Sequence, residues 1–147
     1  MNFEQPENLN DKVEKIQEKL EFLKDPRQVS SLSELNDPED LNSISRCFQV
    51  IQRNVATAFK DIQDSLNEIL KVRPELHQEI DALITNSWVG YMAQTDEQAT
   101  ELYKSGAIGT KGLENGKNKE AFDFIKKITE VMPVAIKDTE TFLDSLK

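Results

Sequence analysis

From Leu41 to Val72 the sequence holds apolar residues on a fixed heptad. Leu41, Phe48, Val55, Ile62 and Ile69 recur every seven residues, as do Ile44, Ile51, Ala58 and Val72, with Ser65 breaking the second series beside Leu66. A repeat of seven sustained this long encodes a helix that lies along other helices at a shallow angle. At about 1.5 Å per residue, a helix from Pro38 to Val72 is roughly 50 Å long. The start is marked by Asp37-Pro38-Glu39-Asp40. Asp37 is a capping residue, Pro38 suits a first turn, and two carboxylates face the positive end of the helix dipole.

The remaining segments follow the same logic. Leu9, Val13, Ile16, Leu20 and Leu23 alternate spacings of four and three, which predicts a helix over about residues 7–24, stopped by Asp25-Pro26. The stretch after it, broken by two Asp-Pro pairs, reads as a connector in which Val29, Leu32 and Leu35 form a short helical turn. Arg73-Pro74 breaks the long helix, and Leu76, Ile80, Leu83, Ile84, Trp88, Tyr91, Met92, Ala99, Leu102 and Tyr103 predict another over residues 74–104. Gly106 is placed to end it in a left-handed cap. A last helix is predicted over residues 118–147, capped by Asn118, striped by Phe122, Ile125, Ile128, Met132, Ile136, Phe142 and Leu146, and kinked or split at Pro133. No segment has the pattern of a strand. The expected fold is therefore all-α: an antiparallel up-and-down bundle of about four helices, one short and three long, with coiled-coil-like packing in a single domain over residues 1–147.

"SGAIGTKGLENGKN", residues 105–118, holds four of the five glycines. A phosphate-binding loop needs G-x-x-x-x-G-K-[ST] between a strand and a helix, but here Leu113 follows Gly112 and no strand precedes. The stretch reads as a loop over 105–117 that joins two helix ends, with Lys111, Lys117 and Lys119 as weak candidates for contact with an anion.

Catalytic chemistry finds little purchase. His77 is the only histidine, and Asp81 stands one helical turn away. A di-iron bundle needs paired glutamates and two E-x-x-H elements, which one histidine does not supply. Cys47, the only cysteine, lies beside the heptad stripe and reads as a buried, inert thiol. No cofactor or metal is expected, and the chain is read as non-enzymatic.

Trp88-Val89-Gly90 resembles the W-x-G tripeptide of the small exported helical-hairpin proteins of bacterial type VII secretion, where it lies in the turn between two helices. The likeness covers three residues. This chain is longer, and the tyrosine-plus-acid export signal of that family is not evident. Helical periodicity runs through the tripeptide, so a mid-helix tryptophan beside a glycine that admits a neighbouring helix is expected.

The net charge of −9, from 27 acidic and 18 basic residues, disfavours nucleic acid and an anionic membrane surface. No stretch approaches the roughly 18 apolar residues of a membrane span. Without an evident signal segment, a cytoplasmic protein is expected, with signal-less export left open. The function expected is protein–protein interaction, by a protein partner or by self-association. Phe48, Val55, Ile62, Ile69, Phe122, Ile125, Phe142 and Leu146 are the candidate interaction surface, because the heptad stripe is longer than the first helix can cover. Two alternatives stand: an exported or membrane-active helical effector, and a ligand-binding bundle with a pocket near Trp88, Tyr91 and Tyr103.

Overall fold

The computed structural model describes residues 5–107 and 114–146, and among them every regular element is helical. In chain order the α-helices are α1 (Gln5–Lys24), α2 (Pro26–Glu34), α3 (Leu41–Val50), α4 (Ala56–Val72), α5 (His77–Asp81), α6 (Val89–Ala93), α7 (Thr95–Lys104) and α8 (Asn118–Ser145). A π turn over Ile51–Val55 joins α3 to α4, a 3₁₀ turn over Pro74–Leu76 leads into α5, and a second π turn over Ala82–Asn86 follows it.

The heptad run forms the centre of the molecule. Phe48, Val55, Ile62 and Ile69 are fully buried along one seam, together with Ile44 and Ile51. Adjacent residues are buried in pairs on both sides of the π turn: Cys47 with Phe48 before it, Ala58 with Phe59 and Ser65 with Leu66 after it. Within this run, α4 packs against both α1 and α6. Ion pairs along the first contact join Lys12 to Glu68 at 3.4 Å and Lys19 to Asp61 at 3.1 Å. As numbers rise in α1 they fall in α4, so these two helices run in opposite directions. The last helix, α8, packs against α3, α6 and α2.

Several starts and stops differ from the sequence reading, each for a local reason. The stretch read as a connector is a two-turn helix, α2. Asp25 caps it by accepting from the Arg27 amide at 3.0 Å, Pro26 opens its first turn, and Leu32 and Leu35 are buried. The long helix starts at Leu41 rather than Pro38. Asp37 is used in a turn, accepting from the Glu39 amide at 2.9 Å, while Asp40 takes the cap from the Ser43 amide at 3.1 Å and hydroxyl at 2.7 Å. Asn118 does not cap α8. It is buried, and its side-chain amide donates to the Pro38 carbonyl at 2.8 Å. Pro133 does not split α8, because it sits on the solvent side, where water can reach the carbonyl that the missing N–H leaves unpaired.

The expected helix over 74–104 is broken instead of continuous. Its run ends in the π turn, where the Ser87 amide donates to the Ala82 carbonyl at 3.1 Å and Ser87 itself is extended at φ −102, ψ 177. Gly106 has φ 81. Its amide donates to the Tyr103 carbonyl at 3.1 Å, and the Ala107 amide to that of Leu102 at 3.0 Å. That pair of bonds is a Schellman cap, with Ala107 buried behind it. Gly116, at φ 76, makes a second left-handed turn just before α8. Gly109 and Gly112 lie outside the described residues.

If the seam carries the core, Ile62→Ala will cost about 2–5 kcal/mol in chemical denaturation. An unchanged midpoint would show that the seam does not carry it.

Candidate functional site

The residues expected to form an interaction surface are mostly interior. Phe48, Val55, Ile62, Ile69 and Ile125 are fully buried, Phe142 is 7% exposed, and only Phe122 and Leu146 are half-buried. The chain's own helices cover the stripe. The short first helix is not left to do this alone: α2, α6, α7 and α8 pack around the heptad run as well. Six of the eight residues are thus interior in this fold, and Phe122 and Leu146 remain partly open.

Two of the three anion candidates fall among the described residues. Lys117 donates to the Ser105 carbonyl at 3.3 Å, closing the loop ends on each other. Lys119 is exposed, and Lys111 lies outside the described residues.

His77 pairs with Asp81 at 3.0 Å on an exposed face. Among the described residues no group of three or more His, Cys, Asp or Glu is placed to hold a metal ion. Nor is any described helix long and apolar enough to cross a membrane. Cys47 is fully buried, with its sulfur 3.2 Å from the Ser31 carbonyl, and burial pushes the thiol from 9.0 up to about 11.

The three aromatics of the expected pocket separate. Tyr103 is 45% exposed and meets Phe48 edge-on, with ring centroids 5.9 Å apart. Trp88 and Tyr91 stay together, at 5.3 Å and 87° between planes. They line a groove of about 620 Å³ on the surface of the helix break.

The break makes this groove. Trp88 follows the extended Ser87 and stands at the cap of α6, whose first two residues are Val89 and Gly90, so the W-x-G tripeptide starts in the break and runs into the next helix. The turn is held tight by Gly90, where a Cβ atom would stand 2.2 Å from the Ile84 carbonyl oxygen. Two side chains of α8 hold the other side. Lys127 places its ammonium 4.6 Å from the centre of the Trp88 ring, and Asp138 accepts from the Ser87 hydroxyl at 2.9 Å. They are spaced eleven residues apart, three turns along one face.

Gln63 of α4, Asn86 and Gln94 add carboxamides to the lining, and Thr85 and Ser87 add hydroxyls. Ile84 and bare Gly90 add apolar surface. No lining residue is charged, in a chain in which 31% of residues are. Four other surface hollows among the described residues are each lined by two or more charged side chains. Burial raises the Tyr91 phenol, which stays neutral through physiological pH. Sequence reasoning had singled out Trp88 and Tyr91 but gave no sign of Gln63, Gln94, Lys127 or Asp138, since these join them only through the turn.

No protein-family model, curated protein or solved structure matches the chain.

Gly90→Ala will force the turn open against a backbone oxygen, costing about 1–3 kcal/mol and shifting the emission of Trp88, the single tryptophan. An unchanged melting temperature and spectrum would refute the close approach. The Cys47 thiol titrates higher in the folded chain than its ordinary 9.0, so its contribution to stability is complete below that pH and lost as pH rises through about 11. The stability difference between wild type and Cys47→Ala will therefore shrink over that range in urea titrations at stepped pH.

Proposed function

We propose that the chain is a non-enzymatic helical protein that acts by docking a protein partner in the Trp88–Tyr91 groove. The observation that carries this reading is the lining: two half-buried aromatics ringed by carboxamides and hydroxyls, with no charge. Exposed aromatic surface of that composition is the kind that protein interfaces enrich, while charged residues are depleted from their cores. The placement of the reactive side chains supports the non-enzymatic part. Cys47 is sealed in the core, and the His77–Asp81 pair lies outside the groove.

An antiparallel bundle with coiled-coil-like packing belongs to the same proposal. The opposed directions of α1 and α4, and the seven-residue seam between the packed helices, support it. A foreign chain is favoured over a second copy, because the seam that argued for self-association is filled from within.

A photo-crosslinking residue at Gln94, which lines the groove, tests this against one at exposed Ser33 on α2. In native lysate the proposal requires a discrete adduct from position 94 that position 33 does not give. Absence of an adduct, or equal adducts from both, refutes it. An adduct at twice the chain mass, with light scattering that gives a dimer, identifies the partner as a second copy.

A second reading draws on one observation: the tripeptide Trp88-Val89-Gly90 begins at a break between helices, with Trp88 at the cap of α6, near where the tripeptide lies in the exported proteins it resembles. Export of the chain into culture medium, abolished by Trp88→Ala, would support it.

A further inference from the structure

We propose that the segment bound in this groove is an uncharged, extended stretch of the partner polypeptide that carries one apolar side chain. The inference rests on the docking reading above and specifies its ligand.

Charge comes first. A charged side chain entering the groove would lose water and meet no opposite charge in the lining. Two ionic groups that contact lining residues are already engaged, Lys127 over the Trp88 ring and Asp138 with Ser87. The wider surface is acidic, with a net charge of −9, which further disfavours an acidic segment. A basic segment would be drawn to the carboxylates elsewhere on that surface and gains nothing from this lining.

Shape and hydrogen bonding then select an extended peptide. Trp88 and Tyr91 stand at 87° to each other, forming a corner beside Ile84 and the bare Cα of Gly90. One apolar side chain fills such a corner. Around it, each carboxamide of Gln63, Asn86 and Gln94 offers both donors and an acceptor. An extended peptide presents a free N–H and C=O at each residue, which these groups can meet. A helix spends the same groups on itself and would leave the carboxamides unanswered.

The test is selection from a displayed library of random short peptides on the full-length chain. Binding is then measured by calorimetry and by Trp88 emission, which reports on the groove because the chain has no other tryptophan. Enriched peptides are expected to be uncharged with one large apolar residue, and to shift Trp88 emission saturably. Their affinity should change less than about twofold between low and high salt, since screening acts on charged pairs. Gln63→Glu and Gln94→Glu keep side-chain size but add charge, and each should weaken binding about tenfold or more without changing the melting temperature. Enrichment of charged peptides, binding indifferent to both glutamate variants, or no enrichment overturns the inference. So does a saturable Trp88 response to neutral disaccharides where peptides give none. If crosslinking at Gln94 captures a partner but charged peptides are selected, docking stands and only the segment's chemistry is wrong. If neither a partner nor a peptide is captured, both fail.

Discussion

Burial of the seam from Ile44 to Ile69 is the constraint from which the rest of the structure follows. A helix that buries a stripe of this length must be covered on more than one side, and the chain does so from both of its halves. From the N-terminal half come α1 and α2; from the C-terminal half come α6, α7 and α8. Each buried large side chain in such a seam is worth about 1.5–3 kcal/mol of transfer free energy. Exposed ion pairs such as Lys19–Asp61 and Lys60–Asp96 add direction and register to these contacts more than energy.

The π turn at Ile51–Val55 shows how one long helix satisfies two sets of neighbours. It is secured by side chains rather than by a backbone ladder alone. The Thr57 hydroxyl donates to the Gln52 carbonyl at 3.2 Å, and the Asn54 amide reaches the Gln28 carbonyl of α2 at 2.8 Å. Past the turn, α4 holds α1 and α6 at once. The same device recurs at Ala82–Asn86, with the opposite outcome. There the π turn ends the helix and leaves Trp88 and Tyr91 beside a surface groove instead of in the core.

The groove therefore depends on elements far apart in the chain. Gly90 permits the turn, α4 contributes Gln63, and α8 clamps the far side with Lys127 and Asp138. Lys126, next to that clamp, donates to the Leu35 carbonyl at the end of α2 and rests 5.3 Å from the Phe122 ring centre. Adjacent lysines of α8 thus serve different ends: Lys126 ties down an earlier helix, and Lys127 covers the face of the tryptophan.

What the sequence by itself determined was the class of element and the face each one buries. Period-seven spacing marks Phe48, Val55, Ile62 and Ile69 as interior, and the structure buries all four, because that spacing can only be satisfied by a helix with one apolar side. Gly106 was legible as a cap for a similar reason: a left-handed residue at a helix end is a local requirement. The tertiary structure decided where helices break and what covers them. Asp37 read as the cap, but the Ser43 amide and hydroxyl give that place to Asp40. Asn118 was a good cap too, but the Pro38 carbonyl claimed its side chain. The helical pattern runs through Trp88 without a flaw, yet the chain turns there. Periodicity records only which side of a residue is apolar, whereas a break is decided by close approach and hydrogen bonds to residues that the sequence keeps distant.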